Sequence, residues 1–228
     1  PAYGCPYSDD PTVRQKGIDY ITHYIKRQEL LGGKIFDGSF LAPWPSAPAD
    51  ITFDREKLLE TAAGSLKTMC KIAADHGQII TEEIYNRFEG FLLNTAKEAV
   101  ALCEMVDEPN LLITFDTYHA NIEEDSWEDC IRTLGKYCGH VHLGEANRKL
   151  PGSCPSKMDW NKIFSELNKL QYDGMFIFEA FTLDQGTVSR DVSLWRDLTN
   201  HATMEELIQQ NAASYAFVKQ KFEVETRG

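Results

Sequence analysis

The chain has 228 residues, 43% hydrophobic, 11% aromatic and 25% charged, a balance that supports a sizeable core and excludes a disordered or fibrous polypeptide. Lys and Arg number 23 against 35 Asp and Glu, a formal charge of −12. That excess repels a phosphate backbone and argues against a nucleic-acid partner.

Asp10-Pro11 pairs an N-cap with proline at the first helical position, Ile18, Ile21 and Ile25 share a face, and Gly32-Gly33 supplies a stop, which predicts a helix. Lys34–Phe40 is short and bounded by turn residues, a predicted strand, and the proline-rich stretch from Ala42 to Pro48 cannot continue a sheet. Leu58, Leu59, Ala62, Leu66, Met69 and Ala73 recur at helical spacing between Asp54 and His76, Gly77 ends the run, and Gln78–Glu83 reads as a strand. Thr95-Ala96-Lys97-Glu98 has capping-box spacing and opens a helix toward Met105, before a strand at Leu111–Phe115. Ser126-Trp127-Glu128-Asp129 starts the next helix. After it come a strand at His140–Leu143, a helix at Trp160–Leu170, a strand at Met175–Phe178 and a last helix near Met204–Phe222. Five short apolar runs separated by helices predict a parallel sheet of βα units, its strands buried on both faces. No linker or low-complexity segment divides them.

No apolar run approaches the ~18 residues of a membrane span, and a basic-then-apolar secretion signal is not seen, so a cytoplasmic protein without a membrane partner is expected. Cys5, Cys70, Cys103, Cys130, Cys138 and Cys154 form no C-x-x-C pair and are too sparse for a disulfide scaffold; they read as free thiols.

In parallel α/β folds the reactive groups collect at the carboxyl ends of the strands. Four successive predicted strands finish with a side chain able to bind a metal: Glu83 after QIITE, Asp116 after LLITF, His142 in HVH and Glu179 after MFIF. One strand-end acid is ordinarily a helix cap or a solvated loop residue; four in consecutive units point to a shared site. Three carboxylates and one imidazole suit Mn2+, Mg2+ or Co2+ rather than a thiolate-bound structural zinc, and with one divalent ion the set is net −1. Asn86-Arg87-Phe88-Glu89 follows Glu83, His119 follows Asp116, and Gly144-Glu145-Ala146-Asn147-Arg148 follows His142. Groups on those loops suit the hydroxyls of a small polyol.

E-I-Y-N-R-F-E from Glu83, D-T-Y-H-A-N-I-E-E-D from Asp116, H-V-H-L-G-E-A-N-R from His140, F-E-A-F from Phe178 and V-S-L-W-R-D from Val192 resemble the ketose 3-epimerases. That family, of D-tagatose 3-epimerase and D-psicose (D-allulose) 3-epimerase type, belongs to the xylose-isomerase-like TIM barrels, and the resemblance runs from about Asp10 to the C-terminus. It implies an α/β (β/α)8 barrel of which residues 1–228 form a single partial catalytic domain, about the last five βα units. PAYGCPYS resembles the loop after the family's third strand, so the first three strands are expected to lie outside this sequence, with little activity from these residues alone. The resemblance further implies that Glu83, Asp116, His142 and Glu179 bind one divalent ion, Mn2+ first, with Co2+ or Mg2+ as alternatives. Glu83 and Glu179 also act as acid and base, while Glu89, His119 and Arg148 contact the substrate and Trp44 and Phe181 wall its pocket. The implied reaction interconverts ketohexoses at C3, of D-psicose/D-fructose or D-tagatose/D-sorbose type, in a homo-oligomer, dimer or tetramer. Ala180 stands where the family usually has proline, and Ser153-Cys154-Pro155-Ser156-Lys157-Met158 replaces a glycine-rich loop; both bear on substrate fit.

An aldose–ketose isomerase on the same scaffold is the nearest alternative, and a non-catalytic truncated remnant is another. A barrel endonuclease at abasic DNA sites conflicts with the −12 charge and with a single histidine among four ligands. His76 and His201 read as surface or capping residues near helix ends, His23 as a helical residue and His140 as core or a neighbour of the site. Glu123-Glu124-Asp125 reads as a solvated loop, and Trp127, Trp160 and Trp195 as helix packing.

Overall fold

A computed structural model describes residues 4–48 and 52–226. Five strands, β1 (Ile35–Gly38), β2 (Ile79–Glu83), β3 (Leu111–Asp116), β4 (Cys138–Leu143) and β5 (Phe176–Phe178), pair in parallel in chain order. Each parallel neighbour requires a crossover. Helix α1 (Pro11–Leu30) precedes β1, α2 (Arg55–Asp75) and α3 (Ala96–Val106) make the first two crossovers, and α4 (Thr117–Glu123) with α5 (Trp127–Leu134) makes the third. Helix α6 (Trp160–Lys169) makes the fourth, and α7 (Gly186–Asp191) and α8 (Met204–Thr226) follow β5. The sheet curls into a half-barrel.

The helices start where single side chains satisfy their first free N–H groups. Asp10 accepts from Thr12 N at 2.8 Å, Asp54 from Lys57 N at 3.0 Å, Ser126 from Asp129 N at 3.2 Å and Asp159 from Lys162 N at 3.2 Å. At α3 the capping box is complete, with Thr95 Oγ1 accepting from Glu98 N and the Glu98 carboxylate accepting from Thr95 N. Helices α4 and α7, of seven and six residues, are additions to the expected elements; neither is long enough to show a 3.6-residue period.

The central strands are buried on both faces, as expected, but the apolar runs conceal that one of the two faces is polar. Ile80, Ile113, Phe115, Val141 and Leu143 join one buried cluster with helical Leu66, Met69, Leu102, Ile131, Leu134, Ile163, Phe164 and Leu167. The alternate positions Thr81, Glu83, Thr114, Asp116, His140 and His142 are buried polar residues on the opposite face. Glu82 is an exception on the apolar side. Burial keeps its carboxyl well above the usual range, against the pull of the N–H bonds it accepts from Phe40, at 2.9 Å, and Leu41, at 3.4 Å, which tie the segment after β1 to β2.

Two smaller expectations are corrected. Glu123 and Glu124 are not solvated: Glu123 accepts from the backbone N and guanidinium of Arg87, and Glu124 accepts from Ala96 N at 2.7 Å. Trp195 is exposed rather than packed, whereas Trp160 is buried and Trp127 packs against the core. The six cysteines are free, and no helix among the described residues is long and apolar enough to cross a membrane. Thr95→Ala removes one half of the capping box and is expected to lower unfolding free energy by about 1 kcal/mol in urea titration; an unchanged midpoint would show that the cap contributes nothing.

Candidate active site

Glu83 and Asp116 end β2 and β3, His142 is next to last in β4 and Glu179 directly follows β5. The register sets Asp116 opposite His142. One ligand atom from each of the four lies within 4.8 Å of those from the others. His142 Nδ1 is 3.0 Å from Glu83 Oε1, 3.8 Å from Glu179 Oε2 and 3.9 Å from Asp116 Oδ2. Asp116 divides its work between two oxygens. Oδ1 caps α4, accepting from Tyr118 N at 2.6 Å and His119 N at 2.9 Å, while buried Oδ2 faces the cluster without a hydrogen-bond partner.

Crowding acids in a buried place favours their neutral forms. Burial and then Glu179 push Glu83 up to about 7, burial and then Glu83 push Asp116 up to about 6, and burial and then Asp116 push Glu179 up to about 8. At His142 burial favours the neutral ring, but hydrogen bonds to Asp37 and Glu83 outweigh it and carry the ring up to about 11. The cluster thus holds protons where a cation could sit. Its donor set of oxygens and one imidazole nitrogen, with Asp116 Oδ2 unsatisfied, fits a hard or borderline divalent ion.

The five residues expected to meet a substrate border this cluster. Arg148 Nη1 bonds Glu89 Oε1, and its Nη2 is 3.3 Å from Glu179 Oε2. The guanidinium lies 4.4 Å from the Tyr118 ring centre and 4.3 Å from that of Phe181. Glu89 Oε2 accepts from Trp44 Nε1 at 3.1 Å, and Trp44 stacks with Phe181 at 6.3 Å. His119 Nδ1 accepts from Asn86 N at 3.1 Å, which places the proton of the neutral ring on Nε2. Burial, then the Arg148 charge, holds His119 well below its ordinary value, and Nε2 is a buried donor with no hydrogen-bond partner, 3.8 Å from Glu83 Oε1.

The Arg148 backbone is in the left-handed region, at φ 62°, which is unusual for a side-chain-bearing residue. Three bonds hold it there: Arg148 N to Glu145 O at 2.8 Å, Glu145 N to Lys149 O at 2.9 Å and Phe181 N to Arg148 O at 3.0 Å. The buried Glu145 carboxylate accepts from Gly152 N at 2.8 Å, Trp160 Nε1 at 3.1 Å and Ser156 Oγ at 2.5 Å, anchoring the segment that departs from the glycine-rich pattern. Asp37, Thr81, Thr114 and Tyr118 were not singled out in the sequence for this site, and Glu145, expected on a substrate-facing loop, instead anchors that loop. Thr81 and Thr114 lie two residues before Glu83 and Asp116, so the two-residue strand period was the available signal.

A family model described as xylose isomerase-like TIM barrel matches residues 2–201. The chain belongs to the xylose isomerase-like TIM barrel family. It is 35% identical over 210 residues to D-psicose 3-epimerase of Ruminiclostridium cellulolyticum, covering 92% of this chain and 71% of that one. It is 35% identical over 213 residues to D-psicose 3-epimerase of Agrobacterium fabrum, covering 92% and 72%. The crystal structure of D-psicose 3-epimerase with D-tagatose from Clostridium cellulolyticum H10 superposes with a TM-score of 0.93 at 34% identity, covering 97% of this chain and 76% of that one. With such relatives, the chain is an isomerase of the epimerase type.

The raised groups set a pH dependence. A carboxyl whose folded pKa is raised contributes stability that is complete below its ordinary value and is lost as pH rises through the raised one. For Asp116, Glu83 and Glu179 that loss runs from the ordinary carboxylate range through about 6, 7 and 8, and for His142 from 6.5 through about 11. The chelated protein is expected to melt at lower temperature at pH 8 than at pH 5, with a shallower slope in Glu179→Gln. Excess Mn2+ should raise the melting temperature more at pH 8 than at pH 6, because binding displaces protons; calorimetry showing neither trend would refute this electrostatic account.

Proposed function

We propose that this enzyme epimerises free ketoses at C3, with a divalent ion, Mn2+ first, held by Glu83, Asp116, His142 and Glu179. The observation that carries the reading is the pair of titratable carboxyls, Glu83 and Glu179, that enter one cluster from strands separated in the sheet by β3 and β4. The named activities of the relatives, D-psicose, L-ribulose and ketose 3-epimerases, point the same way. Inverting a carbinol carbon beside a ketone requires a proton to leave one face and another to arrive on the opposite face.

Glu83 and Glu179 serve as the two bases. Both carboxyls, Glu83 buried and Glu179 half-buried, belong to the one cluster and reach it from different strands, so one can take a proton while the other returns one, the positioning on which general acid–base catalysis depends. A bound divalent ion supplies Lewis-acid stabilisation of the charge that develops on the substrate oxygens. Arg148 adds a fixed positive charge beside Glu179, and the free Nε2–H of His119 donates to a sugar oxygen. Glu89 accepts from a substrate hydroxyl while holding Arg148 and Trp44 in place, and Trp44 and Phe181 form an apolar wall. Residues 1–228 act as one domain of a barrel.

Reaction in D2O tests the proton route. Deuterium at C3 of the ketose product is the expected result; label at C1 or C2 with aldose formed would assign an aldose–ketose isomerase instead. Glu83→Gln and Glu179→Gln are each expected to lower kcat at least ~10²-fold. Arg148→Ala is expected to weaken ketose binding and turnover while sparing Mn2+ affinity; unchanged ketose kinetics would remove Arg148 from the site.

A further inference from the structure

His142 has two ring nitrogens, and only Nδ1 faces the acidic cluster. Its Nε2 points the other way, 3.1 Å from Asp37 Oδ2 on β1. Asp37 is itself fixed, since its Oδ1 accepts from the hydroxyls of Thr81, at 2.7 Å, and Thr114. The side-chain contacts of Asp37 on β1 therefore reach three further strands: Thr81 on β2, Thr114 on β3 and His142 on β4. The register brings Asp37 opposite Thr81, Thr114 opposite both Glu83 and His140, and Asp116 opposite His142, so Asp37 and the two threonines lie beside and below the ligand positions.

We infer that Asp37 is a positioning residue of the metal centre, which holds His142 in the tautomer protonated at Nε2 and so presents the Nδ1 lone pair to the ion. This rests on the metal-site reading above. The ion needs a deprotonated nitrogen, and a neutral imidazole keeps its proton on the other one. A carboxylate facing Nε2 can only accept, so it selects Nε2–H and at the same time fixes the plane of the ring. The two threonines remove freedom from Asp37. Both hydroxyls donate to Oδ1, which directs Oδ2 to the imidazole. His140, whose ring lies 5.1 Å from that of His142, is buried with Nδ1 unpartnered, so it does not supply a competing acceptor for Nε2.

Asp37→Asn is the discriminating variant because it preserves size. If the asparagine Oδ1 stays with the two threonine hydroxyls, its amide faces His142 and donates, selecting the Nδ1–H tautomer and blocking the ligand nitrogen. Calorimetric titration of the chelated protein with Mn2+ is expected to give one site per chain, and Asp37→Asn is expected to weaken it 10–100-fold, the usual effect of losing such a partner. Nitrogen NMR of ¹⁵N-histidine-labelled protein loaded with diamagnetic Mg2+ should show His142 protonated at Nε2 in the unaltered chain, a readout that a merely structural role would not fix and that stands if the variant fails to fold. The inference is overturned if Asp37→Asn binds Mn2+ as the unaltered protein does, or if His142 is protonated at Nδ1 with the ion bound. It is also overturned if two ions bind and the variant loses one, which would make Asp37 a ligand with His140 and His142. Failure of the unaltered protein to bind Mn2+ at all would instead refute the metal-site reading, and the inference with it.

Discussion

Three carboxyls and an imidazole packed within 4.8 Å, nearly all out of water, are the constraint around which the polar face of the sheet is organised. Like charges at that spacing cannot all remain ionised in a low-dielectric setting. Burial and mutual repulsion raise the acids toward neutral pH, hydrogen bonds to Asp37 and Glu83 favour a positive His142, and Arg148 lies at the periphery. Such a cluster costs stability and persists because the surrounding scaffold is rigid. The rigidity comes from the other side of the sheet, where Ile80, Ile113, Phe115, Val141 and Leu143 are locked into the helical layer.

Much of the fold was legible because it depends on single residues acting locally. Asp10, Asp54, Thr95 and Ser126 mark helix starts through hydrogen bonds to N–H groups two or three positions on. The strand-end positions of Glu83, Asp116, His142 and Glu179 were legible for the same reason. Their meeting is a matter of register between distant segments, which spacing alone does not encode. The two faces of the strands were present in I-T-F-D and H-V-H-L, yet the apolar content of the runs concealed the alternation. Reading the residue two before each strand end would have found Thr81, Thr114 and His140 together.

Other features were not available to a local reading. Asp37 looks like any acid near a strand end until His142 is brought to it by the sheet. Glu123 and Glu124 look like a solvated run because their partners, Arg87 and the Ala96 amide, lie on the preceding crossover. The pairing of Trp44 with Glu89 likewise joins two loops whose neighbourhood is created by β1 and β2 lying side by side.

The divided use of Asp116 has a mechanical consequence. One rigid carboxyl group is bonded to the first turn of α4 through Oδ1 and directed at the cluster through Oδ2. A rotation or shift of that group, demanded by a change of occupant at Oδ2, is carried into the turn that bears Tyr118 and His119. Those side chains in turn meet Arg148 and Asn86. The radius and preferred bond lengths of a cation held among the acids would therefore act as a lever on that turn, and through Tyr118 and His119 on the placement of Arg148 and Asn86.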